Sequence, residues 1–121
     1  MGLGPLDIVT IQVRDWKAAV QWYTKTLGFE VAVSEEDDQF CLLTTGAALL
    51  GLAADHAEQS ASTSENRVAP GFQVADLDAT LARLRAEGVK VDPMIDGEGE
   101  GYRLARIWDP EDNRLHVYCY G

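Results

Sequence analysis

"IVTIQVRDWKAAVQWYTKTLGFEV", residues 8–31, begins with apolar side chains at alternate positions, Val9, Ile11 and Val13, and then changes period. From there Trp16, Ala19, Val20 and Tyr23 recur at steps of three to four. Alternation puts one side of a strand into a core, and the longer period draws one apolar stripe along a helix. Asp15 stands at the junction as an N-cap, and Gly28 stands beyond the last turn as a left-handed C-cap. The pattern returns in "APGFQVADLDATLARLRAEGVKV", residues 69–91. At an offset of 61, Val13 falls on Val74, Asp15 on Asp76, Trp16 on Leu77, Ala18 on Ala79, Val20 on Leu81 and Tyr23 on Leu84. Deleting one residue then brings Gly28 onto Gly88 and Val31 onto Val91, so the chain carries an internal repeat.

Each copy continues with three strand candidates: "FEVAV", "QFCLLTT" and "AALLGLA" in the first, "VKVD", "YRLARIW" and "RLHVYCY" in the second. The repeating unit is therefore βαβββ. "TTGAA" turns the last hairpin of the first copy by glycine, and "DPEDN" that of the second by Pro, Asp and Asn chemistry. The fold expected is α+β, one domain over 1–121. Unit one covers about 6–54, a polar linker about 55–67 and unit two about 68–121, the mixed sheet curving around a cavity. "DPMIDGEGEG", residues 92–101, reads as a glycine- and acid-rich loop, either a solvated connection or a lid.

Composition narrows the function classes. A length of 121 residues suits one compact domain, and no window approaches the roughly 18 unbroken apolar residues of a membrane span. "MGLGPLDIVT" lacks the basic start and apolar stretch of an export signal, so a cytoplasmic location is expected, with no membrane partner. Ten basic against twenty acidic side chains give a formal charge of -10, which repels phosphate backbones and argues against nucleic acid. The same field mildly favours a cationic small molecule. Cys41 and Cys119 fall in apolar runs and read as reduced and buried.

The strand, Asp-capped helix and Leu-Gly-Phe of "IQVRDWKAAVQWYTKTLGFEV", the second copy "FQVADLDATLARLRAEGVKV" and the closing "WDPEDNRLHVY" together resemble the vicinal oxygen chelate superfamily. That group contains glyoxalase I, bleomycin resistance proteins and extradiol dioxygenases. The resemblance spans nearly the whole chain and implies paired βαβββ units around a cavity, often completed by a homodimer. It also implies up to four His, Glu or Gln metal ligands from the first and last strands of each unit. Those positions fall on Ile8, on Leu50 or Gly51, on Ala69 and on His116, of which only His116 has a ligating side chain. One imidazole does not hold a divalent ion selectively, so the expectation is no metal and no other cofactor. His56, in the linker, is read as facing solvent.

Strand parity then names the cavity face. With Leu115, Val117 and Ile107 turned to the helices, Arg114, His116, Tyr118 and Tyr120 turn away, as do Tyr102, Leu104, Arg106 and Trp108. The first strands add Ile8, Thr10 and Gln12, and Ala69, Gly71 and Gln73. The binding candidates are Gln12, Gln73, Tyr102, Arg106, Trp108, His116 and Tyr118, rings and amides suited to a planar or aromatic ligand. Each also has a plainer reading: Trp108 and Tyr118 as filling, Arg106 paired with an acid of the 92–101 loop, Gln12 bonded to Gln73. Trp22 lies off the helix stripe and is a candidate dimer contact. The functional expectation is a metal-free, drug-sequestering, small-molecule-binding protein of the bleomycin resistance type. The alternative is a glyoxalase- or dioxygenase-like enzyme, with an atypical metal site or with His116 as acid or base and Arg106 or Gln73 steadying developing charge.

Overall fold

The computed structural model describes residue 2 and residues 6–54, 68–93, 95–97 and 101–120, with the backbone alone at 95–97. The linker expected over 55–67, with His56, and part of the 92–101 loop lie outside the described residues. The chain divides into two compact units between positions 62 and 63.

In the first unit β1 (Ile8–Val13) leads into α1 (Trp16–Gln21), which a π-helical turn over Trp22–Thr26 prolongs; β2 (Glu30–Glu35), β3 (Phe40–Thr44) and β4 (Leu49–Ala54) follow. The sheet order is β1-β4-β3-β2, parallel between β1 and β4 and antiparallel elsewhere. Alternation dictates its two faces. Ile11, Val13, Cys41, Leu43, Leu50 and Leu52 are buried with Trp16, Ala19 and Tyr23 of the helix, while Ile8, Thr10 and Gln12 are exposed. Trp16 fixes the helix onto the sheet, its indole N–H donating to the buried Leu52 carbonyl at 3.0 Å. That bond satisfies the one polar atom of a side chain otherwise placed for its apolar area. The turn between β3 and β4 is made by Gly46 at φ 112° and by Thr45, whose N–H donates to the Ala48 carbonyl at 3.2 Å.

The helix expected between Asp15 and Gly28 is present, but its last turn is wider than the rest. Asp15 and Gly28 lie 13 residues apart and their repeat mates Asp76 and Gly88 lie 12 apart, so the first copy must absorb one extra residue. It does so in the π turn, where Leu27 N–H donates five residues back to the Trp22 carbonyl at 3.3 Å. Tyr23 stays buried and Gly28 stays left-handed, at φ 83° against 85° for Gly88.

The second unit runs β5 (Gly71–Gln73), α2 (Leu77–Ala86), β6 (Lys90–Val91), β7 (Ile95–Gly97), β8 (Tyr102–Trp108) and β9 (Arg114–Tyr120). Its sheet order is β5-β9-β8-β6, β5 and β9 parallel, with β7 pairing β8 as well. Asp76 caps α2 by accepting from Ala79 N–H at 3.0 Å, as Asp15 accepts from Ala18 at 3.1 Å, and the two donors are themselves repeat mates. Leu77, Leu81 and Leu84 of α2 are buried, as are Ala105, Ile107, Leu115, Val117 and Cys119 of the sheet. Burying side chains of this size stabilises by roughly 1.5–3 kcal/mol each before entropy is counted. Both cysteines are reduced and buried. Two expectations for this unit need correcting. The strand read at "VKVD" shrinks to Lys90–Val91, and the stretch read as loop over 92–101 contains β7, antiparallel to β8 from Ile95 opposite Leu104 to Gly97 opposite Tyr102. Backbone pairing to a long neighbour overrides the loop-like composition there. Among the described residues no helix is long and apolar enough to cross a membrane.

Candidate functional site

The open face of the second sheet gathers most of the expected residues. On β9 the buried side chains are Leu115, Val117 and Cys119, so Arg114, His116, Tyr118 and Tyr120 stand on the other side; on β8, Ala105 and Ile107 are buried, and Tyr102, Leu104, Arg106 and Trp108 stand opposite. The antiparallel register pairs them across the strands: Trp108 with Arg114, Arg106 with His116, Leu104 with Tyr118, Tyr102 with Tyr120. Residues so paired hold their Cβ atoms about 5 Å apart, within reach of every side chain in the set. β5 adds Gly71 beside His116 and Gln73 beside Tyr118. This strand is held by His116 N–H donating to the Pro70 carbonyl and Val74 N–H to the Tyr118 carbonyl, both at 2.8 Å. Gly71 gives the face its floor: a Cβ there would lie 3.6 Å from the Tyr118 ring and 3.9 Å from the His116 Cβ.

Local turn chemistry aims the upper end of this face. Asp109 is buried, and its carboxylate accepts from Glu111 N–H and Asn113 N–H at 2.8 Å and from the Asn113 amide at 2.9 Å. Asp112 takes φ 66° to close the turn. The hairpin so fixed carries Trp108 at one foot and Arg114 at the other. The Lys90 ammonium lies 5.0 Å from the Trp108 ring centre, a cation–π contact. Arg106 Nε lies 3.5 Å from the Asp92 carboxylate, so the arginine does pair with an acid of the 92–101 stretch. Among the described residues Arg106 Nε and Trp108 Nε1 are buried without a hydrogen-bond partner. Burial holds the His116 pKa below its ordinary 6.5, and the charges of Arg114 and then Arg106 push it further in the same direction.

Tyr102 sits at the margin of the grid, and Tyr118 meets Tyr120 edge to face at 5.5 Å. Gln12 stands on the open face of the first sheet, opposite Ala53, and is described with that unit alone. Trp22 is half-buried against Tyr23, ring centres 4.9 Å apart. Lys90 is not among the sequence candidates, and Asp92 enters there only as one of the acids of the 92–101 stretch. A two-residue strand shows too little alternation to fix its parity, although buried Val89 followed by exposed Lys90 is the signal that was there.

The ligand positions of the superfamily's metal enzymes can be tested against these faces. On β4 the structure separates the two candidates: Leu50 pairs with Val9 on the helix side, and Gly51, paired with Thr10, is the one on the open face. A Cβ on Gly51 would lie 2.8 Å from Thr10 Oγ1 and 3.5 Å from both Leu42 and Phe40, so the space a ligating side chain would need is already filled. Ile8 of the first unit and Ala69 of the second offer no donor atom, and His116 offers one nitrogen. Of the four positions only His116 carries a ligating side chain.

Comparison with known proteins agrees with the fold. The sequence profile of the Glyoxalase/Bleomycin resistance protein/Dioxygenase superfamily matches residues 6–117. YraH, an uncharacterised protein of Bacillus subtilis, is 24% identical over 91% of this chain and 94% of its own. A glyoxalase family protein from Bacillus anthracis has a TM-score of 0.82 at 17% identity, covering 100% of this chain and 98% of that one. The genomically encoded fosfomycin resistance protein FosX of Listeria monocytogenes has a TM-score of 0.80 at 13% identity, covering 99% and 96%. At these identities the structural likeness is one of fold.

Proposed function

Because the chain belongs to the glyoxalase/bleomycin resistance protein/dioxygenase superfamily, we propose that it is a metal-free, small-molecule-binding member that grips a planar or aromatic compound on the open face of its second sheet. The observation that carries this reading is the cross-strand grid of Trp108, Arg106, His116, Tyr118 and Gln73 on one sheet face. Rings supply stacking area with little entropy to lose, and a few fixed polar groups set orientation. Capture of this kind needs no chemistry: stoichiometric binding protects against a toxic or reactive compound, the drug-sequestering form of resistance. A neighbour in fold whose name is that of a fosfomycin resistance protein supports the resistance part of this reading. The acting form is a homodimer in the cytoplasm.

The test is a thermal-shift screen of planar and aromatic compounds on the wild type, Trp108→Ala and His116→Ala. Compounds that raise Tm should do so by mass action on the wild type and lose the effect in both variants. Hits that persist unchanged in both variants would refute the proposed face.

A second reading is favoured by one specific observation, the lowered pKa of His116, which keeps its imidazole in the unprotonated form that a general base requires. In that reading His116 moves a proton without a metal, and Arg106 or Gln73 stabilises the developing charge. Turnover that survives a chelator and is lost in His116→Gln would establish it.

A further inference from the structure

The whole chain bears a formal charge of -10, which favours a cation at long range, whereas the charged side chains on the strands of the face just described are cationic. Its strands carry three cationic side chains, Lys90, Arg106 and Arg114, and the adjoining Asp92 carboxylate pairs with Arg106. Gln73 and Gly71 add no charge. Distance decides between the two fields. Exposed charges are largely screened beyond about 8 Å at physiological salt, while register neighbours on the sheet lie about 5–8 Å apart. A ligand at contact therefore meets the local cations. Hydrogen-bonding capacity points the same way: guanidinium, ammonium and indole groups are donors only, and the buried Trp108 Nε1, left without a hydrogen bond, is a donor.

Resting on the binding function proposed above, we infer that the ligand is a planar organic anion, an aromatic carboxylate or its equivalent. Its acidic group lies over Arg106, His116 and Arg114, and its ring lies toward Trp108 or Tyr118. A guanidinium matches a carboxylate with two parallel N–H bonds, and Arg106 and Arg114 flank His116 from the neighbouring strand and from its own. The Asp92 contact does not close the site: at 3.5 Å to Nε it leaves the outer guanidinium nitrogens of Arg106 for a second acceptor. An anion placed there favours the imidazolium, so binding draws the His116 pKa back up toward 6.5.

Three probes of one shape and different charge test the inference on the full chain: naphthoate, naphthamide and naphthylmethylammonium, followed by calorimetry and by the His116 and Trp108 NMR signals. Naphthoate should bind at least about 10-fold more tightly than naphthamide, as expected for charge-assisted hydrogen bonds, and only its binding should weaken as salt is raised. Arg106→Gln and Arg114→Gln should each cost naphthoate about 10-fold and leave naphthamide unchanged, while Arg106→Lys keeps the salt-dependent part. Arg103→Gln, on the helix side and bonded to Asp78 at 3.1 Å, should have no effect. Equal or tighter binding of the amide or the ammonium at His116 and Trp108 overturns the anionic assignment and leaves the binding function standing. Failure of all three probes to disturb either signal overturns both.

Discussion

Replacing Asp109 by alanine should destabilise the protein by about 3 kcal/mol. The side chain is only 4% exposed, and its two oxygens accept three hydrogen bonds at 2.8–2.9 Å from Glu111 N–H, Asn113 N–H and the Asn113 amide. A hydrogen bond to a charged group contributes about 1.5–3 kcal/mol net, which would give a larger total if all three counted in full. Glu111 and Asn113 are only half-buried, so water recovers part of the loss and about 3 kcal/mol remains. For a chain of this length 1 kcal/mol moves Tm by about 4 °C, so circular dichroism melting should show a fall of about 12 °C. Asp109→Asn keeps an oxygen for the two backbone donors but turns an NH2 toward the Asn113 amide, and about 5 °C should be lost. Because this turn fixes the hairpin that carries Trp108 and Arg114, Asp109→Ala should also weaken any ligand held on that face. A Tm within about 2 °C of wild type would show that the turn is held by something other than this carboxylate.

Gly51→Ala should destabilise by about 1 kcal/mol, because its Cβ would meet Thr10 Oγ1 at 2.8 Å. In a Thr10→Ala background the same change should be neutral or slightly stabilising, which urea denaturation of the four-member cycle measures. Stability should also depend on pH through His116. Its folded pKa is lowered, so as pH falls below 6.5 the unfolded chain takes up the proton first. The contribution is complete above 6.5 and is lost as pH falls toward the folded value. The wild type should therefore lose stability relative to His116→Gln between neutral and mildly acidic pH, and parallel stability curves would exclude the effect.

How much of this was legible in the sequence depends on how local each signal is. The Asp caps, the glycines that end the helices and the alternation on β8 and β9 are set by near neighbours, and each is readable in the sequence alone. Parity along the seven residues of β9 therefore placed His116, Tyr118 and Arg114 on one face. The missing features are those decided by partners distant in sequence. β7 exists because β8 is long enough to accept a second neighbour, and nothing in its glycine- and acid-rich composition says so. Lys90 and Asp92 join the site only through the pairing of β6 with β8 and the ion pair to Arg106. The extra residue of the first helix was visible as a gap in the repeat, yet its form, a wider turn under Trp22, is a matter of keeping Tyr23 buried. Leu50 and Gly51 could be separated only by the β1–β4 register.

The most direct test of the account is a ligand titration on chelator-treated protein, following the Trp108 indole and His116 ring resonances. Saturable binding that perturbs both, is unchanged by added zinc or manganese and is lost in Trp108→Ala and His116→Ala is the predicted result. Binding that appears only when a divalent ion is restored would contradict it.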